Sequence, residues 1–346
     1  MNATPPSCSI RKHLTDANER EVMKYRKLGR WGPKVSCLGL GSYLTIGFGC
    51  DEDTSRETIR TAYDRGVNYF DTANAYARGE AERVLGRHLA ELPRSDLFIL
   101  TKVWAPMGDG PNDLGLSAKH IREQCDASLQ RLGMDYVDVY MCHRPDADTP
   151  LEETVRAMED LARAGKILYW GISEWPAPLI VKANAVAREL NARPMAVSQP
   201  RYSLLYRYPE TLLYPTTDNE GIGNVVFSPL AHGMLTGKYK PGEEAAQGTR
   251  AADPTKNSVI KAMYWTEENK RKAQELVSLA EQMGVGAAEL AIAWCLRKPS
   301  VSSVILGTTS TAQLEQNLKA VDLELSDDVI AALDNMFPQP QTVPQV

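Results

Sequence analysis

From residue 38 onward the chain alternates short apolar runs with amphipathic stretches about every 30 residues, and almost every apolar run ends on a polar side chain. The runs lie at 38–42, 68–70, 97–100, 136–142, 168–172, 195–198, 224–227 and 303–306. They lead into Asp71, Thr101-Lys102, His143, Ser173, Gln199, Ser228 and Gly307. A continuous run such as Leu97-Phe98-Ile99-Leu100 suits a strand buried on both faces, the habit of parallel sheets. Eight right-handed strand–helix units in succession close into a (β/α)8 TIM barrel, an α/β fold. In such a barrel all eight strand ends face one common site.

The stretches between the strands carry helix punctuation. Thr54 with Glu57 reads as a capping box for a helix that stops at Gly66. A second helix runs from Glu80 to about Leu89. Ser117 caps a third, with Ile121, Cys125, Leu129 and Leu132 inward and Gly133 closing it. Thr149-Pro150 with Glu152 opens another, ended by Gly165. Helices are expected at 176–190, 208–213, 267–283, 287–297, 312–319 and 326–335, with a long insertion at 230–266 of the kind that is usually functional. Ahead of the barrel, 24–28 and 34–37 flank Gly29-Arg30-Trp31-Gly32-Pro33 and read as a β-hairpin that caps something. An open doubly wound sheet is the competing fold. It needs a glycine fingerprint, and Gly39-x-Gly41 has Leu44 where the third glycine belongs.

Length and composition allow one large domain. The chain has 346 residues, 43% of them hydrophobic, and α/β barrels of this size are commonly single domains. The division expected is an N-terminal arm at 1–22, one barrel domain at 23–336, and an extended proline-rich tail at 337–346. A net charge of −5 without a dense basic run argues against a nucleic-acid surface. No apolar run of about 18 residues and no signal-like segment is present, so no membrane insertion and a cytoplasmic setting are expected. Six scattered cysteines without a CxxC pair fit reduced thiols better than a disulfide scaffold or a metal site.

The chemistry gathers around Phe70-Asp71-Thr72-Ala73-Asn74-Ala75-Tyr76. Asp71 ends a strand and Tyr76 lies in the loop that follows, while Lys102 and His143 end later strands. Taken singly, Asp71 could be a helix cap, Tyr76 a packed aromatic and His143 a loop-holding residue. Lys102 is harder to dismiss, because burying an unpaired ammonium is costly. Together the four make an electrophilic corner. A phenol has an ordinary pKa of about 10. An ammonium beside it is expected to lower that value, Asp71 supplies the counter-charge, and His143 adds a second donor. The corner can hold a carbonyl oxygen and protonate it. With no nucleophile and no metal cluster in view, reduction by an external hydride donor fits and hydrolysis does not.

These residues carry a resemblance that extends over nearly the whole chain, from Tyr25 to about Asn335. LGLGS (38–42), FDTANAY (70–76), TKVW (101–104), LGMDYVDVYMCHRPD (132–146), GISEW (171–175), FSPLAHGMLTGKY (227–239) and VSSVILGTTS (301–310) are similar to segments of the aldo-keto reductases. HRPDADTPLEETVRAM and LAIAWCLR resemble most the branch holding the voltage-gated potassium channel β-subunits and their microbial relatives. The resemblance implies an NADPH-dependent reductase of aldehydes or ketones, with Tyr76 as general acid, Asp71 and Lys102 tuning it, and His143 orienting the carbonyl. It implies NADP(H) bound without a Rossmann fold. Gly41, Ser42, Tyr43 and Asp71 would line its path, Ser173, Glu174 and Gln199 would meet the nicotinamide end, and Phe227 would stack on the ring. Ser228, Leu230 and Gly233 would lie along the pyrophosphate, with Lys238 and Arg250 at the 2′-phosphate. Gly307, Thr309, Gln313, Gln316 and Asn317 would enclose the adenine.

The chain departs from the family in three places. Glu174 stands where many members carry Asn and channel subunits Arg, Gln316 where relatives can carry Glu, and His143 where animal channel subunits have Asn. The other implied role is a channel β-subunit-like protein that docks on a membrane channel and uses bound NADP(H) as a redox sensor. The branch often forms tetramers or octamers, so a homo-oligomer is expected. The loops at 43–50, 104–115 and 201–206 are partly aromatic and carry little charge apart from Arg201, which favours a modest, uncharged carbonyl substrate.

Overall fold

A computed structural model describes residues 23–340, so the expected arm at 1–22 and residues 341–346 of the expected tail lie outside it. Two short antiparallel strands, β1 (Tyr25–Lys27) and β2 (Lys34–Ser36), form the expected hairpin. Eight parallel strands follow: β3 (Leu38–Gly41), β4 (Tyr69–Asp71), β5 (Phe98–Val103), β6 (Val137–Cys142), β7 (Ile167–Ser173), β8 (Val197–Gln199), β9 (Gly223–Val226) and β10 (Val301–Leu306). Each pairs with the next, and β10 returns to β3, closing the barrel. The α/β barrel expected from the alternation is therefore the fold, and the open sheet is excluded.

The shell comprises α1 (Glu52–Asp64), α2 (Glu80–Leu89), α3 (Ala118–Leu132), α4 (Leu151–Arg163), α5 (Ala177–Glu189), α6 (Leu213–Glu220), α7 (Ser258–Met263), α8 (Glu267–Gln282), α9 (Ala287–Leu296), α10 (Thr311–Leu318) and α11 (Asp327–Met336). Several caps differ from expectation. Asp51, not Thr54, caps α1, its carboxylate accepting from the Thr54 amide at 2.7 Å. Thr149 does not cap α4, because its hydroxyl donates to Asp146 at 2.7 Å. Ser117 caps α3 and Gly133 closes it in the left-handed conformation, as read. The helix placed at 208–213 is a single tight turn over Tyr208–Glu210, with α6 beginning afterwards. The long insertion contains a tight helical segment, Ala231–Thr236, and α7.

The strand period of two sorts side chains between two cores. On β5, Ile99 and Val103 pack outward against the helices, whereas Phe98 and Leu100 point into the barrel. Tyr69, Val139, Met141, Val197, Val225 and Ile305 share that interior. Gly39 leaves room for Tyr69, whose Cδ1 lies 2.1 Å from where a Gly39 Cβ would stand. Leu28 and Val35 of the hairpin join the interior cluster with Trp31 against it. The hairpin thus plugs the end of the barrel opposite the strand C-termini. Phe337, placed at the start of the tail from the sequence, is buried, and its carbonyl accepts from Arg207 at 2.6 Å. Among the described residues no single helix is long and apolar enough to cross a membrane.

Candidate active site

The same alternation that fills the barrel builds the site. Two residues beyond Leu100, Lys102 points into the barrel mouth; Asp71 does so two beyond Tyr69, and Gln199 two beyond Val197. Lys102 is fully buried, and its ammonium donates to Asp71 Oδ1 at 2.7 Å, the Thr72 carbonyl at 2.8 Å and the Tyr76 hydroxyl at 3.4 Å. Gln199 Nε2 donates to the other Asp71 oxygen at 2.7 Å. Both carboxylate oxygens are thus engaged. Burying an ammonium is tolerable only with such partners. Burial pushes the Lys102 pKa down and Asp71 acts against that fall.

Tyr76 stands above this pair. Its ring packs edge-on to His143 with centroids 5.6 Å apart, and Tyr43 lies 5.0 Å away on another side. The backbone just after Tyr76 turns through left-handed conformations at Ala77, Arg78 and Gly79. Of the nine non-glycine residues with positive φ among the described residues, all but Asn191 lie in the loops and tight turns after strand C-termini: Leu44, Ala77, Arg78, Trp104, Glu174, Ser228, Ala231 and His232. Strain of this kind gathers where a fold holds side chains for function. The net shift of the Tyr76 pKa runs opposite to the lowering expected from Lys102. Burial, followed by the charge of Asp71, raises it well above the ordinary phenol value, and the cation acting against that rise is Arg144. Desolvation comes first, with Lys102 and Arg144 behind it, in holding His143 well below the ordinary histidine pKa. His143 is a neutral imidazole beside a phenol that keeps its proton.

From this corner a cleft of about 1280 Å³ runs along the barrel mouth and under the insertion. It is bordered by nearly all the expected cofactor residues: Gly41, Tyr43, Asp71, Ser173, Glu174, Gln199, Phe227, Ser228, Leu230, Gly233, Lys238, Arg250, Gly307, Thr309, Gln313, Gln316 and Asn317. Ser42 is the exception. It is buried, and its hydroxyl donates to Thr72 at 2.9 Å, so it braces the β3 and β4 ends instead of facing the cleft. Glu174 borders the cleft, yet one carboxylate oxygen accepts from the Arg201 amide at 2.7 Å and the other pairs with its guanidinium at 3.8 Å. At the far end Thr309 donates to Gln313 Oε1 from both its amide and its hydroxyl at 3.1 Å.

Lys238 and Arg250 both line the cleft, close enough for Arg250 to act on Lys238, without an acidic partner among the described residues. Desolvation first, then Arg250, lowers the Lys238 pKa. Two adjacent unpaired cations facing a cleft form a receptor for a multiply charged anion. Together with Phe227 and the length of the cleft, they fit a phosphorylated dinucleotide. The sequence reading missed Leu44, Arg144, His232 and Lys256 on the cleft wall. His232 Nε2 lies 3.3 Å from Ser228 Oγ, and its Nδ1 lies 3.3 Å from Arg250. No sequence signal marked His232 within the insertion. Arg144 could have been found, since it directly follows strand-end His143. The neighbouring Asp146 does hold the loop, accepting from the Leu116 amide at 2.7 Å and from Thr149.

The pattern of residues 37–337 matches the family model of the Aldo/keto reductase family. The chain belongs to that family. Among curated relatives, this reductase-family chain is 45% identical over 305 residues to a probable voltage-gated potassium channel subunit beta of Arabidopsis thaliana, covering 87% of this chain and 92% of the relative. A protein of the same description from Oryza sativa subsp. japonica is 44% identical over the same extent. The resemblance read from the motifs, at both family and branch level, is therefore correct. Family membership makes the chain an oxidoreductase-type barrel of a family that generally binds nicotinamide cofactors.

Proposed function

We propose that this chain is an NADPH-dependent reductase of aldehydes and ketones, with residues 23–336 as its single catalytic domain. One observation carries the reading most directly: the Tyr76 and His143 rings, with centroids 5.6 Å apart, converge above a buried Lys102–Asp71 pair at 2.7 Å, where burial favours a neutral imidazole and a protonated phenol. When bound, the nicotinamide cofactor supplies the hydride. Tyr76 and His143 act on the carbonyl oxygen. His143, being neutral, offers one ring N–H without the desolvation cost of an imidazolium. Tyr76 donates its proton as negative charge develops on that oxygen, an alkoxide being a stronger base than a phenolate. Lys102 then faces the resulting phenolate, and the hydrogen bonds from Lys102 and Gln199 keep Asp71 from taking the proton instead. Ser173 and Gln199 would hold the carboxamide end, Phe227 the ring face, Ser228, Leu230 and Gly233 the pyrophosphate, and Lys238 with Arg250 the 2′-phosphate. Gly307, Thr309, Gln313, Gln316 and Asn317 would hold the adenine.

The test is consumption of reduced cofactor against a panel of aldehydes and ketones, run beside Tyr76→Phe. The variant is expected to lose roughly 10²–10⁴-fold in kcat while still binding NADPH. Turnover equal to the wild type would sink the general-acid assignment. The names of the plant relatives favour a second reading, a potassium channel β-subunit, in which bound NADP(H) would serve as a redox sensor. Tight NADPH binding without turnover on any carbonyl, together with recovery of a channel partner, would move the weight there. A cytoplasmic homo-oligomer goes with either reading.

A further inference from the structure

We infer that Arg144 is an anion-recognising residue of the substrate pocket and that the carbonyl substrates carry a carboxylate within a few carbons of the reacting group. The inference rests on the reductase reading and names its substrate class. Most interior arginines have acidic partners: Arg131 with Glu82, Arg94 with Asp138, Arg207 and Arg297 with Glu210, and Arg201 with Glu174. Arg26 instead spends its guanidinium on the carbonyls of Leu296, Lys298 and Val301, and Arg250 faces the cleft beside Lys238. Arg144 has no acidic partner among the described residues. It is half-buried and borders the cleft with Tyr76 and His143. Its bonds go from Nη1 alone and to neutral acceptors, the His143 carbonyl at 2.5 Å and Ser173 Oγ at 3.3 Å. Nη2 and Nε make no hydrogen bond within the described chain.

Charge at the reacting end follows from the partners. Asp71 and Lys102 neutralise each other at 2.7 Å, with the second Asp71 oxygen taken by Gln199. His143 is neutral. Arg144 is left as a net positive charge beside Tyr76. A guanidinium in that position is matched by a carboxylate, which its planar fork binds through two parallel N–H bonds. The few charges in the surrounding loops favoured an uncharged substrate, but Arg144, which directly follows the strand-end His143, lines the cleft as well and adds a charge those loops do not carry. A site built with an uncompensated charge also discriminates strongly, because a neutral ligand leaves that charge desolvated and unpaired.

Two measurements test this on the full chain. In the first, kcat/KM is compared for benzaldehyde against carboxybenzaldehydes, and for butanal against succinic semialdehyde, in wild type, Arg144→Met and Arg144→Lys. The wild type is expected to favour the carboxylated member of each pair by roughly tenfold or more, Arg144→Met to abolish the preference, and Arg144→Lys to retain part of it. Equal use of both members by the wild type would overturn the inference while leaving the reductase reading intact. In the second, calorimetric titration with benzoate, which has no reducible carbonyl, reads Arg144 without turnover. Binding is expected to weaken roughly tenfold in Arg144→Met, and unchanged binding would overturn the inference. Should no aldehyde of either kind be reduced, the reductase reading fails on that result and benzoate still decides the role of Arg144.

Discussion

Lys238 and Arg250, like Arg144, have no acidic partner among the described residues, and because the two act on each other they share a residue-scale prediction. Their mutual repulsion raises the free energy of the empty cleft, and a dianionic group removes it. Alanine at both positions is expected to weaken NADPH binding by roughly 10- to 100-fold and NADH binding far less. Fluorescence titration with the two cofactors checks this, and equal losses for both would remove these residues from the phosphate role. Lys256, on the same wall, is already paired with Asp253 at 3.0 Å, so its removal is expected to matter less. The pairing state of each cation, not its presence in the sequence, marks which ones await a ligand.

At the scale of elements, the hairpin is the part whose task the sequence announced least. Its turn meets the loop between α6 and β9: the Arg30 amide donates to the Gly221 carbonyl at 3.0 Å, and Leu28 is fully buried. Gly29 adopts φ +58°, and a Cβ there would stand 2.5 Å from both the Gly221 carbonyl oxygen and the Gly223 nitrogen. Both contacts are backbone, so neither can swing aside. Gly29→Ala is expected to cost about 1–3 kcal/mol in urea unfolding, combining a left-handed backbone with overpacking. An unchanged midpoint would show that the hairpin is a loosely docked cover, not part of the barrel core.

For the whole molecule, buried neutral histidines couple stability to pH. His143 and His232 both have pKa values held down in the folded state, His232 to about 3, by burial first and by neighbouring cations next. Around His232 these are Arg250 and Arg201. An unfolded histidine titrates near 6.5, so below that pH the unfolded chain binds protons that the folded chain refuses. Stability therefore rises with pH through this window and is lost as pH falls from about 6.5 towards 3. Between about pH 7 and pH 5, His232 alone contributes roughly 2 kcal/mol of that loss. His232→Gln is expected to flatten the slope of unfolding free energy by that amount, and an identical slope in wild type and variant would show that His232 is not held neutral.

The sequence by itself determined the barrel, since eight apolar runs separated by capped amphipathic stretches admit few other closures. It also determined which residues stand at the strand ends, because a period of two places Asp71, Lys102 and Gln199 on the face already committed to the interior by Tyr69, Leu100 and Val197. What only the tertiary structure decided is how those groups are partnered. Ser42 turned to Thr72, Glu174 to Arg201 and Thr149 to Asp146, while Arg144 was left without an acid. Strand periodicity is a local property, written in neighbouring residues. Which partner a polar or charged group finds depends in part on groups tens of residues away, as Ser42 with Thr72 and Glu174 with Arg201, brought within a few ångströms only when the barrel closes.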